Sequence, residues 1–349
     1  MQARPHGTGD KLGGDRMRRL ILLVLVVAAA LAAAWLGGET WLAREAARRI
    51  ADDPQIEAAS VTPLRRIDRI GLHLAELKFA TEAGPATLPA LDLWAAPTAP
   101  TTFHATLPPA LTLPGDRALA LTGGGMSLRV SPGNGMAIGA AGAKASAVTL
   151  DGAPLAEGVD VTATLTPMGG HAPKAARASY RVAGTLTQLV PAALGPVPPA
   201  LAEAGPIGID GAAQLYLTGA LKPGEETPPR LVGVNSDGVT LQVGAHHARI
   251  SGHVTADAEG RAAGAAFVDT PDPRGWLDLA AALGALPAQV VPLATTALRT
   301  ASGAEVTLPA GITAPPPPPE GTLRITLIFR DGRSFLGPMP IGPAPLFAP

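Results

Sequence analysis

Three histidines fall within eight residues: His246, His247 and His253. Imidazole nitrogens hold a metal when three or four donors converge, with carboxylates often completing the set. On an extended chain His247 and His253 share a face, but they stand about 20 Å apart along one strand. Asp237 and Asp257 are near in sequence without ligand spacing, so the three histidines read as members of a polar strand face. Asp269, Asp272 and Asp278 are the closest approach to an acid–base group. Asp272 stands before Pro273, the order of a capping acid and a first-turn proline; capping and loop solvation account for all three. Ser236 and Ser334 sit in turn-like sequence with no base in view. The stretch Gly133–Gly139 (GNGMAIG) has the wrong final spacing for a dinucleotide loop and reads as a turn. G-x-S-x-G, Walker A and H-E-x-x-H patterns are all missing, and the lack of Cys removes thiol nucleophiles, thiolate metal sites, disulfides and lipoprotein acylation. The expectation is a protein that is not an enzyme and holds no cofactor and no metal.

With chemistry set aside, the elements themselves must carry the function. Period-two alternation recurs along the chain. Met126, Leu128 and Val130 alternate with Ser127 and Arg129 in Gly125–Ser131. In Gly158–Thr166, Val159, Val161, Ala163 and Leu165 alternate with Asp160, Thr162 and Thr164. Ile207–Thr218 and Thr322–Arg330 repeat the pattern, Gly211 being a candidate bulge. Each predicts a strand with one packed face and one polar face. Residues 230–268 predict an antiparallel meander, with NSDG (235–238), the Gly244 region and DAEG (257–260) as punctuation. Helical turns are expected near 187–204 and over 272–300, and Pro315–Pro319 predicts a stiff polyproline spacer before a last strand that returns to the sheet. The fold class expected is mainly β: curved antiparallel sheet of many short strands with a few short helices, preceded by one N-terminal transmembrane helix. With 41 Gly and 37 Pro against 47 % apolar residues, the composition favours many turns and strands over a disordered coil.

That N-terminal helix is the run Leu20–Gly38, nineteen uncharged residues including Leu20, Leu23, Val27, Leu31 and Trp35. As a helix it spans about 28 Å, near the hydrocarbon thickness of a bilayer. Arg16, Arg18 and Arg19 stand just before it, and residues 1–19 carry a net charge of +3. By the positive-inside rule the tail stays cytoplasmic and the remainder is exported. Ala32-Ala33-Ala34 offers a cleavage site as an alternative, but the run outlasts an ordinary signal-peptide core. The divisions are therefore a basic tail (1–19), an anchor (20–38), a helical juxtamembrane linker (39–54) and a β-rich exported domain (55–349). The exported part has a net charge near −4, which offers no footprint for nucleic acid.

The last residues, Leu327-Ile328-Phe329-Arg330-Asp331-Gly332-Arg333-Ser334-Phe335-Leu336-Gly337 followed by Gly342-Pro343-Ala344-Pro345, are the most distinctive. Together with the anchored layout and the meander around 238–264, they resemble the bacterial family called domain of unknown function 2125, over residues 17–349. This chain departs from it in having few aromatics after the membrane helix and in the early strands, Trp94 and Phe103 among them. The resemblance implies a single-pass inner-membrane protein facing the periplasm, and no catalytic residue or ligand. In layout the chain is more distantly similar to anchored β-groove envelope proteins of the AsmA type, linked to lipid traffic and outer-membrane assembly. A sheet with one face of Ala, Val and Leu is either closed on a filled core or open as a trough for an acyl chain. The expected partners are the lipid bilayer and a lipid or another apolar ligand; the alternative is a structural or assembly factor that docks envelope proteins.

Overall fold

The structure, a computed structural model, describes residues 38–347 apart from 67, 82, 224–226, 285–290, 293–295, 297–306 and 310. Residues 1–37, and with them Arg16, Arg18, Arg19, Leu20, Leu23, Val27, Leu31 and Trp35, lie outside the described residues. Among the described residues no helix is long and apolar enough to cross a membrane.

Helix α1 (Glu39–Asp52) comes first, then β1 (Ile56–Glu57), β2 (Ser60–Pro63), β3 (Ile70–Thr81), β4 (Gly84–Ala96), β5 (Ala99–Thr106), β6 (Ala110–Leu113) and β7 (Arg117–Thr122). β8 (Gly125–Ser131), β9 (Ala137–Ala145), β10 (Ala147–Leu150), β11 (Ala153–Ala156), β12 (Gly158–Thr166) and β13 (Ala178–Leu189) follow. Short helices α2 (Pro191–Leu194) and α3 (Pro199–Ala204) precede β14 (Ile207–Leu217), β15 (Leu231–Val243), β16 (His246–Ala256) and β17 (Ala262–Thr270). Helix α4 (Pro273–Ala282) leads on to β18 (Leu323–Arg330), β19 (Arg333–Leu336) and β20 (Met339–Pro343).

One large curved antiparallel sheet results. Its backbone is the succession β3–β4–β5–β8–β9–β12–β13–β14–β15–β16–β17–β18–β19–β20, each strand paired with the next. β1 and β2 both edge β3. The strands left out of the succession, β6, β7, β10 and β11, pair with one another as a small side sheet joined to β4 at Thr87.

Alternating residues become strands where the period predicts them: β8 and β12 have the expected bounds, and β14 and β18 differ by one residue. The NSDG stretch does not turn. β15 runs straight through it, and the extra residues bulge while Ser236 Oγ donates to Ala212 O and accepts from Gly238 N. A serine (ST-type) contact to the backbone accompanies the bulge, which absorbs the chain's excess length without reversing it. DAEG does turn, with Asp257 Oδ1 accepting the N–H groups of Glu259 and Arg261. Asp272 caps α4 by accepting from Gly275 N at 2.9 Å. Of the helical stretch expected beyond α4, most lies outside the described residues.

Buried apolar residues gather in separate clusters along this sheet. One joins Leu74, Leu77 and Leu88 to Ile50 of α1. A second sets Val148, Leu150 and Leu155 of the side sheet against Val159 and Leu186. A third forms around Ala178, Tyr180 and Leu217. Tyr180 Oη donates to Ile138 O at 2.9 Å and accepts from Leu221 N at 3.1 Å, so the buried phenol leaves no polar atom orphaned.

Glycines let the sheet bend tightly between these clusters. Gly184 faces Gly211 across β13 and β14, and Gly211 has φ +144°. A Cβ on Gly211 would sit 2.8 Å from Gly238 O and 2.9 Å from the Val239 Cα, both backbone atoms that cannot step aside. Gly208, on the same strand, has room for a Cβ, its nearest neighbour being 3.5 Å away. Equilibrium urea unfolding of the full chain in detergent should show Gly211→Ala destabilised by more than about 1 kcal/mol. Gly208→Ala should change stability by less than about 0.5 kcal/mol.

Candidate functional site

The pairing register separates the two faces of the sheet by chemistry. One cross-strand row reads Leu93–Ala105–Met126–Ala143–Val161–Gly184–Gly211–Val239–Ile250–Val268–Ile325. It crosses eleven strands without a polar side chain, about 48 Å at the usual strand spacing. A row on the opposite face reads Lys144–Asp160–Thr185–Asp210–Thr240–Arg249–Asp269–Arg324. Cross-strand neighbours interact; from Lys144 to Arg249 this polar ladder is exposed to water, and its last two members, Asp269 and Arg324, are covered.

An apolar sheet face ordinarily packs against a second layer. Here the floor stays open over much of its length: Leu93 is 38 % exposed, Phe103 49 %, Met126 51 %, Val161 40 % and Ile209 40 %. The expected packing of Met126 and Val161 is thereby corrected. Both point to the apolar face as the alternation predicts, but among the described residues nothing buries them. A cleft of about 430 Å³ lies over the floor, lined by side chains such as Leu93, Phe103, Met126, Leu128, Val161 and Ala163.

Walls rise along both sides. On one, the side sheet β6–β7–β10–β11 packs onto Val159 and Leu186. Arg117 staples this wall: its guanidinium donates to Asp151 Oδ2, Leu194 O and Ala193 O. That guanidinium, and then the Ala118 N–H, hold the Asp151 carboxyl below the usual aspartate range. Carbonyls at the end of α2 are a natural seat for a cation. On the other side, Leu165, Tyr180 and Leu217 pack with Ala220 and Leu221. At the β3 end, α1 covers Leu74, and the floor is open from Leu93 on β4 onward. The result is a trough running across the strands.

The scan of family models matches residues 68–345 to a family described as uncharacterized protein conserved in bacteria (DUF2125). The chain belongs to this family. The matched stretch begins just before β3 and ends after β20, so this family's model spans the whole floor of the trough. No curated protein and no solved structure matches the chain.

The residues singled out for chemistry are dispersed. His246 Nδ1 lies 2.9 Å from Asp272 Oδ2 beside Trp276. The Gly275 N–H and then His246 hold the Asp272 carboxyl below its usual range. Asp278 pairs at 3.7 Å with Arg274 on exposed α4. Asp269 is neither cap nor loop acid: within β17 it makes a buried two-pronged pair with Arg324, both N–O distances 2.7 Å. Ser236 and Ser334 are strand residues hydrogen-bonded to backbone carbonyls, not turn residues. Gly133 belongs to a single 3-10 turn (Pro132–Asn134). Among the described residues no group of three metal-ligating side chains forms.

His253 is the exception in its environment. Its Nδ1 is buried without a hydrogen-bond partner, its ring is 5.9 Å from that of His171 and 6.3 Å from that of Tyr216, and burial followed by the His171 charge holds its pKa below the usual value. The unfolded chain binds this proton more readily than the fold, so the contribution to stability is complete above about pH 6.5 and is lost as pH falls below it. Thermal melts should show the wild-type midpoint falling more steeply from pH 7 to pH 5 than that of His253→Phe; parallel slopes would contradict this assignment.

Proposed function

We propose that the protein is a non-enzymatic holder of lipid acyl chains, tethered through residues 20–38 to the inner membrane with its β domain in the periplasm. The observation that carries this reading is the apolar row that the described residues leave uncovered between two walls. Soluble proteins rarely expose contiguous apolar patches beyond a few hundred Å² without a partner for them. A row about 48 Å long exceeds the roughly 15 Å depth of one bilayer leaflet, so the floor is long enough for extended hydrocarbon. The uncharged Leu20–Gly38 run and its preceding arginines supply the tether and its direction.

Docking of another protein by strand addition is less well supported. The last strand, β20, carries Pro340 and Pro343, and β2 ends on Pro63. Proline removes backbone donors and blunts a sheet edge. The open face is therefore the feature that calls for a ligand.

Native mass spectrometry of the full chain, extracted in mild detergent, should show co-purified phospholipid. Val161→Glu or Ile209→Glu places a carboxylate on the exposed floor, and a buried unpaired polar group costs about 1–3 kcal/mol. Each variant should keep its far-ultraviolet circular dichroism and lose lipid occupancy by roughly tenfold or more. Lipid-free wild-type protein in repeated preparations would overturn the proposal.

A further inference from the structure

We propose that the sheet meets the bilayer at its β4 end, where Arg65, Arg66, Arg69 and Trp94, the last on the face opposite the floor, seat on anionic phospholipid headgroups and the floor opens beside them. This rests on the acyl-chain reading above and adds where the chains enter and which headgroup class they bring.

The start of α1 fixes the position. Glu39, the residue directly after the apolar run, is buried, and its carboxylate accepts the backbone N–H groups of Gly71 and Arg65 at 3.2 and 3.3 Å. Gly71 in turn pairs with Trp94, and the approach is close enough that a Cβ at Gly71 would strike Leu93 O, which sets the helix start beside β4. Leu93, the residue preceding Trp94, is the first exposed residue of the apolar row. The point where the chain would leave the membrane is thus one strand away from the point where the floor becomes open.

The surroundings suit a bilayer surface. Trp41 is 60 % exposed at the beginning of α1. On the face opposite Leu93, Trp94 stacks on His104 with ring centroids 4.2 Å apart, and the Arg69 guanidinium lies 4.5 Å above the indole. Tryptophan is enriched at the headgroup level. Arg65 and Arg66 are exposed and form no ion pair among the described residues. Asp68, held below its usual pKa range by Arg69, is the opposing acid. Arg48 and Arg49, farther along α1, share Glu45, which leaves the 65–69 loop as the less neutralised basic group. Basic residues close to an anionic leaflet are attracted to it individually. The DAEG turn between β16 and β17 lies some eight strands away, about 40 Å along the floor.

The chain has no native Cys, so single nitroxide labels report position cleanly. Arg66→Cys and Glu259→Cys would be labelled in the full chain and placed in nanodiscs of phosphatidylcholine, with or without phosphatidylglycerol. With phosphatidylglycerol, the label at 66 should be shielded severalfold from a water-soluble nickel relaxant relative to the label at 259. The shielding should weaken in phosphatidylcholine alone and on adding Arg69→Glu. Equal nickel access at both sites would overturn the proposal even if lipid co-purifies, whereas shielding at 66 in a lipid-free protein would leave the rim standing and remove the acyl-chain reading. Equal shielding in both lipids would overturn the anionic preference.

Discussion

A β-sheet that is greasy on one side must find something to set against that side, and this constraint governs the molecule. Strands β5 to β16 carry a water-compatible ladder on one face and an apolar floor on the other. Among the described residues, covering elements stand around the margin: α1 at one end, the side sheet with α2 along one flank, and the 220–221 segment along the other. The margins bury their leucines and hold the strands in place. The centre is left with mostly small side chains, chiefly Ala, Val and Gly, punctuated by exposed Phe103, Met126 and Val161.

Charge reinforces the division of faces. Lys144 opposes Asp160, and Arg249 neighbours Asp269, which grips Arg324 in the polar row. A buried two-pronged pair contributes little net stability over an apolar substitute, but breaking one partner is costly. Its effect here is on register: a one-residue slip of β17 against β18 would strand Asp269 without Arg324 and turn the apolar floor to water. The same ladder that solvates the outer face therefore keeps the inner face continuous.

Much of this was legible in the residues, and the exceptions have physical causes. Strict alternation located β8 and β12 to the residue because each is uninterrupted. β3 escaped the pattern because its apolar set changes parity at Glu76, where φ is +48°, from Leu72 and Leu74 to Leu77 and Phe79, while its pairing with β4 keeps one register. NSDG was misread as a turn because turn-forming residues also build bulges, and the choice between them rests on pairing with β14 and β16. The aspartates were legible as structural, yet Asp269 found its partner Arg324 fifty-five residues away, a contact that local sequence does not encode. That one face is apolar could be read directly. That it stays open could not, since exposure depends on how the whole sheet curls.

The make-up of the floor bears on what it can hold. Protein interfaces draw most of their affinity from a few Trp, Tyr and Arg anchors in tight pockets, and the central row offers none. Hydrocarbon needs no anchor, since each buried methylene contributes about 0.8 kcal/mol relative to water whatever its precise neighbour. Against a bilayer the comparison changes, because lipid tails are already in an apolar medium. Moving a chain from leaflet to trough then costs or gains little beyond the headgroup's new environment, and exchange in both directions stays feasible. A floor of small aliphatic residues, flat in energy along its length, thus suits a chain that must slide better than one that must be locked in place.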